Sequence, residues 1–294
     1  MLHDFCEKEV GPLAAEIDEQ ERFPKETLTK LQEMGMMGLY MPEEYGGAGL
    51  SYVTYIGACE ELAKYCATTS VMFSAHGSLC CWPIEAYGTE EQKQKYLVPL
   101  ASGEKLGAFG LTEPGAGTDA AMQKTVAEDK GDHWLVNGSK IFITNASEAD
   151  IFVIFAMTDK SQGTKGISAF ILEKGTPGFT IGAHEKKMGI RGSATSELVF
   201  EDVKLPKENL LGELGKGFKV AMTTLDGGRI GIAAQALGIG EAAIAATVKY
   251  TQERVQFGKR ISQFQNTQFQ LADMQAKCDA AKLLIYRAAQ AKQD

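Results

Sequence analysis

Three short segments combine residue types that could bind a phosphorylated cofactor or substrate. The first, Gly115-Ala116-Gly117-Thr118-Asp119-Ala120, fits the pattern G-x-G-x-x-A and follows a strand-like run. Glycines at such positions let backbone N–H groups approach an anion. A dinucleotide site of the Rossmann type also needs a helix directly after the glycines. Turn-rich sequence follows here instead, so that class is excluded, and the segment is either an anion-binding loop or an ordinary turn.

The other two segments place a cation near a second functional group. Asp226 and Arg229 are three residues apart in a mostly apolar helical stretch, so they can share one face. Charge buried among apolar residues needs a partner, which is either the other member of this pair or a polar ligand. Arg254 and Phe257 would lie one helical turn apart. Arginine suits phosphate recognition and the aromatic ring suits contact with another ring, although such a pair is more often a plain surface residue and a plain core residue.

Other chemistries lack their motifs. Gly212–Gly217 resembles a phosphate loop, but its spacing is short and no Ser or Thr follows the lysine. The four histidines are scattered without metal-ligand spacing, and no G-x-S-x-G elbow occurs. The six cysteines form no C-x-x-C pair and sit mostly among apolar or helical residues, so we expect reduced, structural thiols. They are Cys6, Cys59, Cys66, Cys80, Cys81 and Cys278.

Composition narrows the class of protein. The chain has 294 residues, of which 44% are hydrophobic, 32 are Gly and only 8 are Pro. These values exclude collagen, disorder and a small disulfide scaffold. The net charge is −8, whereas nucleic-acid-binding proteins typically carry an excess of basic residues. No apolar run approaches the ~18 residues of a membrane span, and the N-terminus lacks signal-peptide features. We therefore expect a cytoplasmic protein with neither a nucleic-acid partner nor a membrane span.

The pattern along the chain predicts an α+β fold in three domains. Residues 1–103 read as helical, residues 104–205 as short strands separated by Gly and Asn turns, and residues 206–294 as helical again. Many strands without intervening helices indicate an antiparallel barrel or sandwich. The predicted strands are Lys105–Leu111, Lys124–Glu128, His133–Lys140, Ile151–Met157, Ile167–Leu172, Phe179–Ile181 and Glu197–Leu205.

Local signals place the helices. Glu26–Leu39 has helical spacing, Ser51 can cap a helix over Tyr52–Ala67, and Thr89 with Gln92 has the spacing of a capping box. Leu214–Tyr250 and Gln263–Gln290 are long and Ala-rich, with glycines that allow close helix packing in a bundle. The pattern still runs at Asp294, with no Gly or Pro to end it. We expect a C-terminal part of the bundle to be missing.

Taken in order, the motifs resemble the acyl-CoA dehydrogenase family over essentially the whole chain, and the third region is most similar to short-chain, butyryl-CoA-type members. The segments that carry the resemblance are Leu111–Asp119, Lys140–Asn145, Asp226–Ile230, Arg254-x-x-Phe257-Gly258 and Phe264-Gln265. The resemblance implies a helical N-terminal domain, a middle β-domain and an incomplete C-terminal helical bundle. It also implies a homotetramer that binds FAD and passes electrons to an electron-transferring flavoprotein.

The resemblance further assigns roles to individual positions. Phe109, Leu111 and Thr112 would line one side of the flavin, and Phe142, Ile143 and Thr144 would form its other wall, with Phe142 where many relatives have Trp. Thr118 would lie by the flavin phosphates and the CoA moiety, while Asp226 and Arg229 would meet the acyl-CoA. Arg254, Phe257 and Gln265 would contact FAD across a subunit interface.

The reaction implied is α,β-dehydrogenation of a short-chain acyl-CoA to 2-enoyl-CoA, in which a carboxylate removes the α-proton and the β-hydrogen leaves as hydride to the flavin. In the family the catalytic Glu lies in the C-terminal helical region, here after Asp294, or in a few members at the position of Gly228. We therefore expect this chain to contain no catalytic base and to be inactive as it stands. Two alternatives remain open: an acyl-CoA oxidase or nitroalkane-oxidising relative, and a non-catalytic helical scaffold in which the Gly and Arg motifs only pack.

Overall fold

Helices occupy both ends of the chain and one sheet lies between them. The computed structural model describes all residues, Met1–Asp294. Eight helices precede the sheet: α1 (Leu2–Phe5), α2 (Gly11–Glu19), α3 (Lys25–Glu33), α4 (Tyr52–Tyr65), α5 (Ala67–Ser74), α6 (Trp82–Tyr87), α7 (Glu90–Gln92) and α8 (Val98–Ala101). Three π-helical stretches continue these helices, at Cys6–Val10, Ala75–Cys81 and Lys93–Leu97. The α+β class predicted from the sequence is confirmed.

Both predicted N-caps form. The Ser51 hydroxyl accepts the N–H of Thr54 at 3.0 Å, and Thr89 and Gln92 make the two reciprocal bonds of a capping box. The helix predicted over Glu26–Leu39 is shorter and ends at Glu33. Gly35 follows with a φ of +67°, a left-handed conformation that stops a helix at low cost only in glycine.

The sheet contains eight strands in the order β6-β7-β3-β2-β4-β5-β8, with β1 paired to β4. The strands are β1 (Gly107–Gly110), β2 (Val126–Asp129), β3 (His133–Thr144), β4 (Ile151–Met157), β5 (Ile167–Glu173), β6 (Phe179–His184), β7 (Thr195–Pro206) and β8 (Leu210–Leu211). Most neighbours are antiparallel, as predicted, but β4 runs parallel to β1 and to β2. Parallel neighbours need a crossover connection, and the long segment between β1 and β4 supplies one.

Strand β4 is buried along its whole length because both faces of the sheet are covered. Side chains on one face, such as Val153 and Phe155, pack with Ile84 and Leu97 from the helical region. Those on the other face, such as Phe152, pack with residues of other strands and of the turn that holds Ala146 and Ala149, and with no helix residue. The alternation follows from the two-residue period of a strand. One face of the sheet therefore packs against the first helices, while the other face curls around its own core.

We propose the domain boundaries 1–103, 104–205 and 206–294, which leave the short strand β8 in the third region.

Two long helices complete the chain. They are α9 (Gly217–Glu253) and α10 (Gln265–Gln293), joined by the small hairpin of β9 (Val255–Gln256) and β10 (Lys259–Arg260). Gly238 of α9 lies against α4 so closely that a Cβ there would stand 2.2 Å from the carbonyl oxygen of Glu60. The Glu60 carboxylate, 3% exposed, accepts from Lys282 Nζ at 2.7 Å and from the Tyr286 hydroxyl at 2.8 Å. These contacts tie α4, α9 and α10 together, in line with the predicted close packing at glycine.

Helix α9 is long and apolar enough, by length and composition alone, to cross a membrane. This differs from the expectation that no apolar run reaches the length of a membrane span. Core helices of soluble proteins meet the same criterion, and α9 packs along α4, α5, β5 and α10, with 28% of its most apolar segment buried.

All six cysteines are unpaired and five of them are buried. One cysteine has a histidine beside it, because His76 Nε2 lies 3.3 Å from Cys81 Sγ. Both side chains are inaccessible to solvent, and burial raises the pKa of Cys81 well above its usual value. Because a thiolate is required for nucleophilic reactivity, this pair is structural.

The buried His76 joins the helices to the sheet and makes stability depend on pH. Its Nδ1 accepts the Gly107 N–H at 3.0 Å and its Nε2–H donates to the Leu100 carbonyl at 3.1 Å, while burial lowers its pKa to about 4. The unfolded chain, with a histidine pKa near ~6.5, binds a proton that the folded chain excludes. We expect the free energy of unfolding to fall by ~3 kcal/mol as pH drops from ~6.5 to ~4.

Urea unfolding across this pH range measures the effect. In His76→Gln, which keeps an amide donor and acceptor but does not titrate, the loss on acidification should be smaller by about that amount. An identical pH dependence in both proteins would contradict the assignment to His76.

Candidate active site

A cavity of about 370 Å³ opens where the sheet meets α9. Four separate stretches of the chain supply its lining: the helical residues before the sheet, the end of β1 with the loop after it, the end of β3, and the first third of α9. The lining residues are Ala75, Leu79, Phe109, Leu111, Thr112, Gly117, Thr118, Ala120, Phe142, Ile143, Thr144, Met222, Leu225 and Arg229. The cavity thus brings together eight of the twelve residues that the sequence nominated for cofactor or substrate.

The first wall is the end of β1 and the residues after it. The Phe109 ring contacts the edge of Phe155 on the neighbouring strand, with 5.0 Å between ring centroids. The chain then leaves the sheet, and the Thr112 carbonyl accepts the N–H of Ile141 at 2.9 Å. Phe109, Leu111 and Thr112 therefore present two apolar side chains and a hydroxyl from a backbone fixed to its neighbours.

The second wall depends on a bulge in β3. The pairing of β3 with β7 shifts register between Lys140 and Ile143, so Phe142 is displaced from the ladder. Its φ is +60°, which is unusual for a bulky residue, and its ring is 59% exposed. Bulges re-aim side chains and are frequent beside active sites. Here the bulge turns an aromatic ring to the cavity, with Ile143 and Thr144 beside it.

A buried ion pair lies behind the first wall. Lys140 Nζ, fully buried, donates to Glu113 Oε1 at 2.8 Å, to the Leu111 carbonyl at 3.0 Å and to Gln123 Oε1 at 3.0 Å. Burial lowers the pKa of Lys140 to about 8, against the opposing effect of Glu113. Burial alone would raise the pKa of Glu113, but the charge of Lys140 and the N–H of Lys124 hold it below its usual value.

Lys140 and Glu113 belong to the motifs Lys140–Asn145 and Leu111–Asp119, but their sequence context predicted no role for either. The available signal was a lysine that falls on the same two-residue period of the strand as the apolar residues Trp134 and Val136, which face inward. A single charge of that kind needs a partner, and Glu113 stands in the loop after β1.

The glycine-rich loop does not serve packing. A Cβ added at Gly115 or at Gly117 would meet nothing within 4 Å. Thr118, beside them, lines the cavity. Glycines with open space around them allow a ligand to approach the backbone closely. This observation argues against the scaffold alternative, in which these glycines would be packing residues.

Arg229 lines the cavity and Asp226 pairs with it, but neither is a buried charge. Their side chains are 66% and 69% exposed, and Arg229 Nη1 donates to Asp226 Oδ1 at 2.8 Å. The premise of burial was wrong because this face of α9 is open to solvent. Arg229 lines the main cavity and a second one of about 380 Å³ between α9 and the Val71–Leu79 stretch, whereas Asp226 lines neither.

Arg254, Phe257 and Gln265 do not line this cavity. The expectation that Arg254 and Phe257 share a helix is wrong, because α9 ends at Glu253 and both residues belong to the hairpin that follows. Phe257 and Gly258 both have positive φ, which makes the tight turn between β9 and β10. Phe257 is 94% exposed at that turn. Within one chain these residues form a separate, solvent-facing group.

Neither cavity is lined by a carboxylate. The lining is apolar side chains, hydroxyls, glycines and Arg229. Such a site can bind and orient a ring and an apolar tail, but it holds no residue that can accept a proton from carbon at neutral pH.

The size and lining of the main cavity fit an isoalloxazine ring. An exposed aromatic side chain faces it, apolar residues stand on both sides, and the open glycine loop at one end suits phosphates. The site thus defines a ring-binding cleft between a sheet and a helical bundle, in a helix–sheet–helix protein.

Comparison with known proteins agrees with this class. Models of the acyl-CoA dehydrogenase N-terminal, middle and C-terminal domains match residues 1–104, 108–203 and 215–294. The short-chain-specific acyl-CoA dehydrogenase of Clostridium acetobutylicum is 60% identical over all of this chain and 77% of that protein. The butyryl-CoA dehydrogenase structure from Megasphaera elsdenii is 57% identical with a TM-score of 0.97, over 99% of this chain and 77% of that one.

A third comparison comes from a structure described as the electron transferring flavoprotein of Acidaminococcus fermentans, in a study of flavin-based electron bifurcation. The matching chain is 58% identical with a TM-score of 0.98, and the match covers 99% of this chain and 77% of that one. This chain belongs to the acyl-CoA dehydrogenase family, a family of FAD-dependent oxidoreductases acting on CH–CH groups.

Proposed function

We propose that this protein carries out FAD-dependent α,β-dehydrogenation of short-chain, butyryl-CoA-like thioesters to 2-enoyl-CoA. The observation that carries the proposal is the cavity in which eight nominated residues from distant parts of the sequence meet. The family membership and the short-chain relatives give the reaction and its substrate class.

The two walls would hold the flavin ring. Phe109, Leu111 and Thr112 on one side and Phe142, Ile143 and Thr144 on the other supply apolar contact and hydroxyl groups, while Thr118 stands by the phosphates. FAD, when bound, supplies the hydride-accepting chemistry of the reaction. The protein's residues orient the ring and exclude water from it.

The second cavity suits a short acyl chain. It adjoins the flavin cavity through Leu79, Thr144 and Leu225, and its lining includes Val71 and Ile232. The Asp226–Arg229 pair at its mouth is placed to meet polar groups of acyl-CoA. This arrangement supports a bound thioester beside the ring.

We also infer a homotetramer and an electron-transferring flavoprotein as electron acceptor. The exposed Phe257, with Arg254 and Gln265 in the same hairpin region, suits contact with FAD held by another copy. Exposed apolar side chains on α10, among them Phe269, Leu283 and Leu284, suit burial in an assembly. The relative described with an electron transferring flavoprotein supports that partner. Unpaired, mostly buried thiols suit a cytoplasmic location.

Flavin binding tests the proposal. The purified protein, titrated with FAD, should turn yellow, and Arg254→Ala should raise the dissociation constant ~10–100-fold, because a hydrogen bond from a charged group contributes ~1.5–3 kcal/mol. Flavin fluorescence quenching gives both constants. The control is Arg287→Ala on the exposed surface of α10, which should leave the constant unchanged.

A colourless protein at saturating FAD would favour the scaffold alternative and refute the enzyme. An acyl-CoA oxidase predicts instead that the reduced protein reacts rapidly with oxygen. The proposed dehydrogenase should react slowly with oxygen and rapidly with an electron-transferring flavoprotein.

A further inference from the structure

We propose that the buried Lys140–Glu113 pair is a positioning device that fixes the first wall of the flavin cavity, so that Lys140 controls FAD affinity without contacting FAD. This inference rests on the proposed function, since it assumes that the cavity binds the flavin ring.

The hydrogen bonds of the pair leave it little freedom. The ammonium group of Lys140 has three N–H donors, and each has an acceptor: Glu113 Oε1, Gln123 Oε1 and the Leu111 carbonyl. Both oxygens of Glu113 are also used, because Oε1 accepts the Thr125 N–H at 3.0 Å and Oε2 accepts the Lys124 N–H at 2.5 Å. The pair therefore fixes the chain on each side of the glycine loop.

The same pair relates the two walls to each other. Lys140 is the last residue of β3 in register with β7 before the bulge that displays Phe142. Lys140 holds the Leu111 carbonyl through its side chain, and the next residue, Ile141, holds the Thr112 carbonyl through its N–H at 2.9 Å. Two consecutive residues of the second segment thus bind two consecutive carbonyls of the first. The distance across the cavity follows from these bonds.

Room for the lysine side chain is built into β1. A Cβ at Gly110 would stand 3.6 Å from Lys140 Cγ, 3.1 Å from Leu198 Cδ1 and 3.2 Å from Ile154 Cγ2. The strand passes over the lysine stem at Gly110, the residue between the wall residues Phe109 and Leu111.

Stability alone does not explain such a pair. Removing two charges from water offsets much of their attraction, and apolar residues of similar size often serve a core as well. An ion pair in which every donor and acceptor is used holds its surroundings in a single geometry. The Lys140–Glu113 pair occurs where two cavity walls must keep a fixed separation.

The test compares two lysines that each pair with a buried glutamate. Lys140→Met leaves Glu113 unpaired behind the cavity, and Lys282→Met removes the closest partner of Glu60 in the helical bundle, where no cavity-lining residue is touched. We expect both variants to melt at lower temperature. We expect Lys140→Met to raise the FAD dissociation constant at least ~10-fold and Lys282→Met to change it less than ~2-fold, both measured by fluorescence titration below the lower melting temperature.

A second variant covers the case in which Lys140→Met does not fold. Glu113→Gln with Lys140→Met removes the unpaired buried charge, so it should recover melting temperature but keep the weakened FAD binding. The inference would be overturned if the Lys282→Met protein and whichever Lys140 variant folds had equal dissociation constants for FAD. That result would leave the proposed function intact. A wild-type protein that binds no FAD would refute the proposed function itself.

Discussion

The 294-residue chain, loaded with FAD, is expected to bind butyryl-CoA and to oxidise it ~10²–10⁴-fold more slowly than a version extended at its C-terminus to the length of its relatives. The physical reason is that neither cavity is lined by a carboxylate, and a positioned general base contributes a factor of this size. Anaerobic stopped-flow absorbance of the flavin gives both rates. Equal rates would show that a residue within the chain, such as Asp226, acts as the base.

A substitution inside the chain offers an independent test of the same idea. Gly228 lines the second cavity, and a Cβ there would stand 2.7 Å from Leu79 Cδ2, the end of a flexible side chain. Gly228→Glu, with Leu79→Ala to make room, should restore measurable butyryl-CoA oxidation. Gly228→Gln with Leu79→Ala has the same shape without the carboxylate and should stay inactive. Activity in the glutamine variant would mean that the cavity change, and not a base, is responsible.

Gly238→Ala is expected to destabilise the protein by about 1–3 kcal/mol or more. A Cβ at this position of α9 would stand 2.2 Å from the Glu60 carbonyl oxygen and 2.9 Å from Ala63 Cβ. No rotation of a side chain relieves a clash with backbone, so α4 and α9 must separate. Urea unfolding followed by circular dichroism measures the loss.

Gly240→Ala is the matched control, two residues further along the same helix. Its Cβ would meet only Cys278 Sγ at 3.4 Å, an ordinary contact. Because alanine is a better helix former than glycine, this variant should be unchanged or gain up to ~1 kcal/mol. A loss of the same size in both variants would contradict the close-packing explanation.

Much of the fold was predictable because local signals agreed with one another. Strand β4 was predicted with its observed bounds, since a continuous apolar run between turn residues leaves little choice. The caps at Ser51 and Thr89 form as expected because their hydrogen bonds span only three residues. The parallel pairing of β4 with β1 was not predictable, because strand direction depends on contacts between residues far apart in the sequence.

In the candidate site, too, the features with local sequence signals were predictable and those that depend on distant contacts were not. Residues within recognisable motifs, such as Leu111 and Thr144, do meet at one cavity. The bulge that turns Phe142 outward has no local glycine to signal it, and the ion pair of Lys140 with Glu113 spans 27 residues of sequence. The hairpin at Phe257 was mistaken for helix because a positive φ at a phenylalanine is rare.

Helix α9 carries both the cavity residues Leu225 and Arg229 and the glycine that meets α4. At 1.5 Å per residue its 37 residues form a rod of about 56 Å. Deleting or inserting a single residue between Leu225 and Gly238 would rotate one end against the other by about 100°. The two contacts could then no longer be satisfied at once. This stretch of the gene should therefore accept replacements far more readily than changes of length.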